Sequence, residues 1–282
     1  MIKVLRIDFL PVMQDGLTLD KLYNKDINVL HKNILDTITE ISGESFQVVG
    51  VESTNEIPVK EDGFQYTNDE YINVISGKVS SHSPDYASYK WIIDKFDLVN
   101  RKNKNEFDEV HLFGSPFLGF FESRIVGRET IWCNAPVCYA DCGNFCIMGY
   151  SYERGVSEAT ENLGHRAESI LSYWNRDFFR DFVNAVGSIH IPHNATKDYD
   201  WANMNKKLCY ADKYPDAFYK DKKGCFILSS LYKLFIKEKK EFIPVLRDST
   251  YWNSNSLDYF KYWFKHLPKE AIDIVLHVDK IT

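Results

Sequence analysis

Four residues in one short stretch have the types and spacing for chemistry. Glu158, Glu161, His165 and Glu168 follow one another at intervals of three, four and three in "SEATENLGHRAESIL". At about 100° per residue they fall within roughly an 80° arc of a helix. Val156, Ala159, Leu163, Ala167 and Ile170 lie opposite, so the spacing predicts an amphipathic helix whose Glu/His face points away from its packing stripe. A wet surface would explain early glutamates through the helix dipole. Against that, the face carries no lysine, and Glu158 with Glu161 is a like-charge pair costing roughly a few tenths of a kcal/mol. A face turned toward a cleft would keep such a row for ligation or proton transfer. Glu161 and His165, one turn apart, can hold one divalent ion, although neither H-E-x-x-H nor H-x-x-E-H is present. The alternative is metal-free, with a carboxylate orienting His165 as a general base.

Two further groups could share that chemistry. In open α/β sheets, ligands bind beyond the carboxyl ends of the strands. Past the run "EVHLFG" stand Glu122 and Arg124, past "TIWC" stand Cys133 and Asn134, and past "CIMGYSY" stand Glu153 and Arg154. These are expected on one rim, with Glu122 or Glu153 as acid or Cys133 as nucleophile. The other group is "SIHIPHNATKDYDW", where His190 and His193 flank Pro192 ahead of Asn194, Asp198, Tyr199, Asp200 and Trp201. Proline stiffens this segment, and its composition suits polar-ligand or metal recognition. His82 and His266 are expected to be structural or exposed.

The elements that must position these residues follow from periodicity. "MIKVLRIDFLPV" reads as a first strand, with Ile7 and Phe9 alternating with Arg6 and Asp8. Apolar residues at Ile27, Leu30, Ile34, Ile38 and Ile41 predict a helix closed by Gly43. "FQVVGVES" reads as a buried strand, 54–70 as a loop, "YASYKWIIDKF" as a helix, and "DEVHLFG", "TIWCN" and "FCIMGYSY" as strands. Strands alternating with helices predict an α/β fold: a layered, largely parallel sheet with helices on both faces. One domain over 1–282 is expected, with an aromatic, loop-rich extension over 188–282 packed on the sheet. The lysines from 220 to 240 around "FILSSLYKLFI" read as a solvated amphipathic helix.

Composition excludes some functions. A net charge of -6 with no long basic run argues against nucleic-acid binding. No stretch reaches the roughly 20 apolar residues of a membrane span. The N-terminus lacks a signal peptide's uninterrupted apolar core, so the chain reads as cytoplasmic, or as secreted if a leader has been removed. Cys133, Cys138, Cys142 and Cys146 crowd together at a spacing that matches no zinc or iron–sulfur pattern; most are expected to be buried small hydrophobes.

The ordered blocks "HLFGSPFLGFFESRIVG", "IWCNAP", "FCIMGYSYERGVSEATENLGHRAESIL", "IHIPHNATKDYDW" and "YWFKHLP" resemble an uncharacterised bacterial family, many of whose members are secreted. The resemblance spans 108–268 and brings no established activity. It singles out Glu122, Cys133, Asn134, Glu153, Arg154, Glu161, His165, Arg166, Glu168, His190 and Asn194. The chain departs from it at His193, where the family has proline, and Cys138, Cys142 and Cys146 have no counterpart in it.

Together these features lead us to expect a hydrolase with a carboxylate–histidine site acting on a small molecule, glycan or peptide. Glu122, Glu153, His165, Glu168 and Cys133 are its catalytic candidates. Arg124, Asn134, Arg154, Arg166 and Asn194 are candidates for substrate binding. Glu161, His165 and His190 are candidate ligands for a divalent metal, zinc first. The arginines could instead neutralise the glutamates in a buried network. Two alternatives stand beside the hydrolase. One is a non-catalytic glycan- or peptide-binding module using Trp174, Tyr199, Trp201 and Trp252, and the other is a cysteine-type hydrolase using Cys133 and His165.

Overall fold

A computed structural model describes residues 1–13, 16–186, 189, 225–228, 244–247 and 256–281. The chain divides into two compact units, Met1–Gly155 with His277–Thr282, and Val156–Leu276. The division therefore falls after Gly155, ahead of the extension expected from 188, most of which lies outside the described residues.

The first unit is a mixed α/β layer. In chain order it runs β1 (Ile2–Phe9), α1 (Leu19–Leu22), α2 (Ile27–Ser42), β2 (Phe46–Thr54), α3 (Asn68–Ile75), α4 (Tyr89–Lys95), α5 (Leu98–Asn103), β3 (Glu109–Gly114), β4 (Ser123–Gly127), β5 (Cys138–Tyr139) and β6 (Phe145–Ser151). Among the described residues these strands form one sheet in the order β2-β1-β3-β6-β4-β5. The first four strands of that order are parallel, β4 runs antiparallel to β6, and β5 is parallel to β4.

Local chemistry explains where the helices start and stop. Asp26 caps α2 by accepting from the Asn28 and Val29 amides, and Gly43 closes it at φ 75. The buried stripe of α2 is Ile27, His31, Ile34, Leu35, Thr37, Ile38 and Ile41, so His31 occupies the place that periodicity assigns to Leu30. Thr67 and Glu70 form a reciprocal capping box on α3. Each sheet face meets a helix. Asn28 and His31 of α2 bond to Arg6 and His111 on one face, and Phe9, on the other, packs against Trp91 of α4 with ring centroids 6.4 Å apart.

Two strand expectations need correction, and one strand went unpredicted. "FQVVGVES" is a strand but not a buried one: β2 is the sheet edge, with Val48, Val49 and Val51 exposed. An apolar run is buried only if a neighbour covers it, and periodicity carries no information about neighbours. "TIWCN" is a loop, because Asn134 takes a left-handed φ of 53 and stands two residues before Pro136, which breaks extended pairing. The strand in this region is β4, whose polar start Ser123–Arg124 disguises five buried residues.

In the second unit, α6 (Val156–Trp174) and α7 (Arg176–Val186) precede a two-stranded antiparallel sheet of β7 (Cys225–Leu228) and β8 (Pro244–Arg247). Then follow α8 (Ser256–Lys265) and α9 (Lys269–Leu276). Phe182 of α7 meets the buried Trp263 of α8 edge-on at 5.1 Å, and the Arg166 guanidinium of α6 donates to the Leu276 carbonyl of α9 at 3.3 Å. No described helix is long and apolar enough to cross a membrane.

Close approach in the sheet gives a direct test. A Cβ on Gly149 of β6 would sit 2.3 Å from the Phe121 carbonyl oxygen and 2.9 Å from the Phe120 Cβ. Backbone cannot yield there as a side chain can. We expect Gly149→Ala to cost about 2 kcal/mol, seen as a lower urea midpoint at unchanged slope.

Candidate functional site

Helix α6 is not a surface helix with a wet Glu/His side. Glu161 is 5% exposed, and Thr160, Gly164 and Arg166 are buried along with the apolar stripe. Withdrawn from water, the carboxylates and the imidazole must satisfy one another. His165 presents its two nitrogens to two different glutamates. Nδ1 lies 3.1 Å from Glu168 Oε2, and Nε2 lies 4.0 Å from Glu161 Oε1. The His165 side chain keeps 14% exposure and Glu168 21%, so the group is shielded yet reachable.

A glycine lets the next segment of chain reach this face. The Ile189 side chain comes so close to Gly164 that a Cβ there would meet its Cγ1 at 2.4 Å. The Ile189 amide donates to Glu168 Oε1 at 3.3 Å. Glu168 is thereby held on both oxygens, one by His165 and one by Ile189. His190, the next residue, and Asn194 lie outside the described residues, as do His193, Tyr199, Trp201 and Trp252.

The fit to a divalent ion rests on which atoms face which. Glu161 and Glu168 do not converge on one nitrogen. Glu168 holds Nδ1, which fixes the ring from behind, while Nε2 and Glu161 Oε1 stand 4.0 Å apart, so a tetrahedral ion between them would draw the two side chains together to about 3.3 Å. The same arrangement without an ion is a carboxylate-oriented imidazole, ready for proton transfer.

The candidates of the first unit form their own grouping. Asn134 donates its side-chain amide to Glu122, and Cys133 Sγ lies 3.5 Å from the Ser123 hydroxyl. Glu122 reaches this position as the residue before β4, with its carbonyl accepting from the Gly149 amide of β6 at 3.1 Å, not as the end of a strand. Cys133 is fully buried. Cys142 and Cys146 are buried as well, and burial raises the Cys138 and Cys142 thiols above their ordinary value. Arg124 donates to the carbonyls of Pro136 and Val137, pairs with Glu61 and lies over the Tyr89 ring at 4.7 Å. Those contacts spend its donors on the fold, and Arg166, also buried, donates from one guanidinium nitrogen to the Leu276 carbonyl. Glu153 is half-buried and its carboxyl is raised by desolvation, with Arg154 opposing. Trp174 is half-buried and packs edge-on against Phe178 at 5.8 Å. His82 stacks on Phe64 and bonds to Asp62, and His266 bonds to the Tyr262 carbonyl.

Sequence reasoning passed over the polar face of the sheet. Arg6 and Asp8 on β1 stand beside His111 and Phe113 on β3, and on that face Glu109, His111 and His31 form a buried chain. His111 Nε2 lies 2.8 Å from Glu109 Oε1, and His111 Nδ1 lies 2.9 Å from His31 Nε2. A carboxylate at Glu109 accepts from the first nitrogen, which leaves the second to accept from His31, so donors and acceptors match along the chain. Burial, with His111 and Arg6 adding to it, pushes His31 down to about 2. Arg6 pairs with Asp8 at 3.0 Å and donates to Asn28 at 2.7 Å. The signal was available in the two-residue alternation of "RIDF" and "EVHLF", which puts Arg6 with Asp8, and Glu109 with His111, on single faces.

Comparison of the chain with known family models, with curated proteins and with solved structures gave no match.

The His31 shift has a definite sign. Its folded value lies below its unfolded one, so the unfolded chain takes up a proton that the folded one refuses, and stability falls as pH drops below about 6.5. His31→Gln keeps a donor for His111 and cannot ionise. Relative to the parent, we expect this variant to gain about 2 kcal/mol between pH 7 and pH 5, measured by urea unfolding of both proteins at each pH.

Proposed function

We propose that the chain is a divalent-metal-dependent hydrolase acting on a small molecule, glycan or peptide, with zinc as the first candidate ion. Glu161 and His165 are its ligands from α6, and Glu168 orients the imidazole. One observation carries this reading: His165 Nε2 and Glu161 Oε1 stand 4.0 Å apart on successive turns while Glu168 holds Nδ1 at 3.1 Å. A carboxylate behind a metal-bound imidazole sets its tautomer and raises its basicity. When bound, such an ion supplies Lewis acidity and a water ionisable near neutral pH. The chain itself contributes a rigid two-ligand helix, a shielded face, and the Ile189 amide that keeps Glu168 turned toward His165. The family resemblance singles out the same three residues, His165 and Glu168 within "GHRAES" and Glu161 in the "ATEN" just before it. Two ligands from one helix leave room for a third, and His190, next to Ile189 in sequence, is the residue we assign to it.

Elemental analysis of protein purified without added metal is the direct check. We expect about one zinc per chain in the parent and none in Glu161→Ala or His165→Ala. Glu168→Gln should retain the site but weaken it by about 10- to 100-fold, read in competition with a chromophoric chelator. No metal in the parent after incubation with zinc, manganese or cobalt would remove this reading. Activity lost on thiol alkylation but indifferent to chelators would move the chemistry to Cys133.

A further inference from the structure

The metal reading makes no use of Glu122, Cys133 and Asn134, which stand together in the first unit. Cys133 is fully buried, but Glu122 and Asn134 are only half-buried. Strand β4 begins opposite Met148 and runs antiparallel to β6, so Glu122, just before it, lies toward the end at which β3 and β6 finish. Ligands of α/β sheets bind beyond that end. The backbone here is fixed. The Glu122 carbonyl accepts from the Gly149 amide at 3.1 Å, and the Phe121 amide donates to the Tyr89 hydroxyl at 3.0 Å. Asn134 takes its left-handed φ of 53, a conformation asparagine tolerates better than most residues, and donates one side-chain N–H to Glu122.

An aromatic pair adjoins these two side chains. Phe121 stacks on Tyr86 with ring centroids 5.1 Å apart and planes at 14°, and Tyr86 is 52% exposed. Arg124 links the rings to the polar pair. Its guanidinium lies 5.5 Å from the Phe121 ring and donates to the carbonyls of Pro136 and Val137, two and three residues past Asn134. It also reaches Glu61 at 3.4 Å. Arg124 therefore does not neutralise Glu122, whose carboxylate makes no ion pair among the described residues. Three features are left for a ligand. Glu122 has a second oxygen to accept with, Asn134 has a second N–H to donate, and Tyr86 has an exposed ring held flat against its neighbour.

These features select among ligands. An ammonium group would serve the carboxylate and leave the Asn134 N–H unmet. A proline-rich peptide would cover the ring but bring no donor to Glu122, and an anion would be repelled by it. Two neighbouring hydroxyls of a pyranose supply a donor and an acceptor side by side, and the C–H face of the same sugar is apolar. We propose that this patch binds a neutral sugar: Glu122 accepts from one hydroxyl, Asn134 donates to its neighbour, and Tyr86 stacks on the C–H face. Glycan recognition then rests on the first unit rather than on Trp174, Tyr199, Trp201 and Trp252.

NMR titration of the whole chain tests this, with cellobiose and lactose as probes and ethanolamine and decaproline as counterparts. We expect at least one disaccharide to bind, with saturation transfer to its ring protons, and neither counterpart to do so. Tyr86→Ala should weaken the sugar about tenfold and Tyr86→Phe leave it unchanged, since the contact is with the ring. Asn134→Gly keeps the left-handed backbone while removing the amide, and Glu122→Gln removes the charged acceptor; each should weaken binding about fivefold. Tyr86 is exposed, so Tyr86→Ala decides the matter should Glu122→Gln fail to fold. No binding of either disaccharide by the parent, unchanged affinity in Tyr86→Ala, or ethanolamine or decaproline bound in place of the sugar would each overturn the proposal. Zinc loss in Glu161→Ala does not bear on it, because that substitution lies in the other unit.

Discussion

A parallel sheet with helices on both faces leaves no wet side to its central strands, and the first unit has to live with that. Strands β1, β3 and β6 are buried almost throughout, yet one face of them carries Arg6, Asp8, Glu109 and His111. Buried charge is tolerable only when paired and hydrogen-bonded. The consequences run through the whole layer. Helix α2 must place Asn28 against Arg6 and His31 against His111, so its cap at Asp26 and its stop at Gly43 set the register of a polar network as well as of an apolar stripe. The opposite face, with Leu5, Ile7, Phe9, Val110 and Leu112, is free to be ordinary core.

The pairing is complete at one end of that face and incomplete at the other. Glu109, His111 and His31 satisfy each other in sequence, whereas Asp8 keeps one oxygen without a donor. Its rise from 3.8 to about 6 corresponds to about 3 kcal/mol against the ionised form. A raised carboxyl is most stabilising below its unfolded value and loses that contribution as pH climbs through about 6, so near neutrality the fold carries Asp8 at a cost.

The second unit meets the same constraint on a helix. Helix α6 buries Glu161 and Arg166 together with its apolar stripe, and the ionisable groups are divided between two uses. Arg166 braces α6 to α9 through the Leu276 carbonyl, while His165 is held between Glu161 and Glu168 and keeps some exposure. Gly164 lets Ile189 lie against the helix beside this group, and the Ile189 amide completes the hold on Glu168. Fixing an imidazole at one nitrogen while its other nitrogen faces a carboxylate is an arrangement that serves ligation or proton transfer, and it requires no motion of the helix to form.

What the sequence settled alone was whatever depends on near neighbours along the chain. The helix of Glu161, His165 and Glu168, the span of α2, the strands β1, β3 and β6, and the α/β class all follow from spacing, caps and alternation, which are set within a few residues. The tertiary structure decided everything that depends on who lies across. It exposed β2 by leaving it at an edge and turned "TIWCN" into a loop through the conformation of Asn134. It spent Arg124 on backbone carbonyls, and it made a buried chain of Glu109, His111 and His31, the last from 80 residues away. Burial, desolvation and unmet hydrogen bonds belong to the space around a residue, and a distant segment fills that space. Alternation therefore showed that Arg6 and Asp8 share a face, but only packing made that face dry.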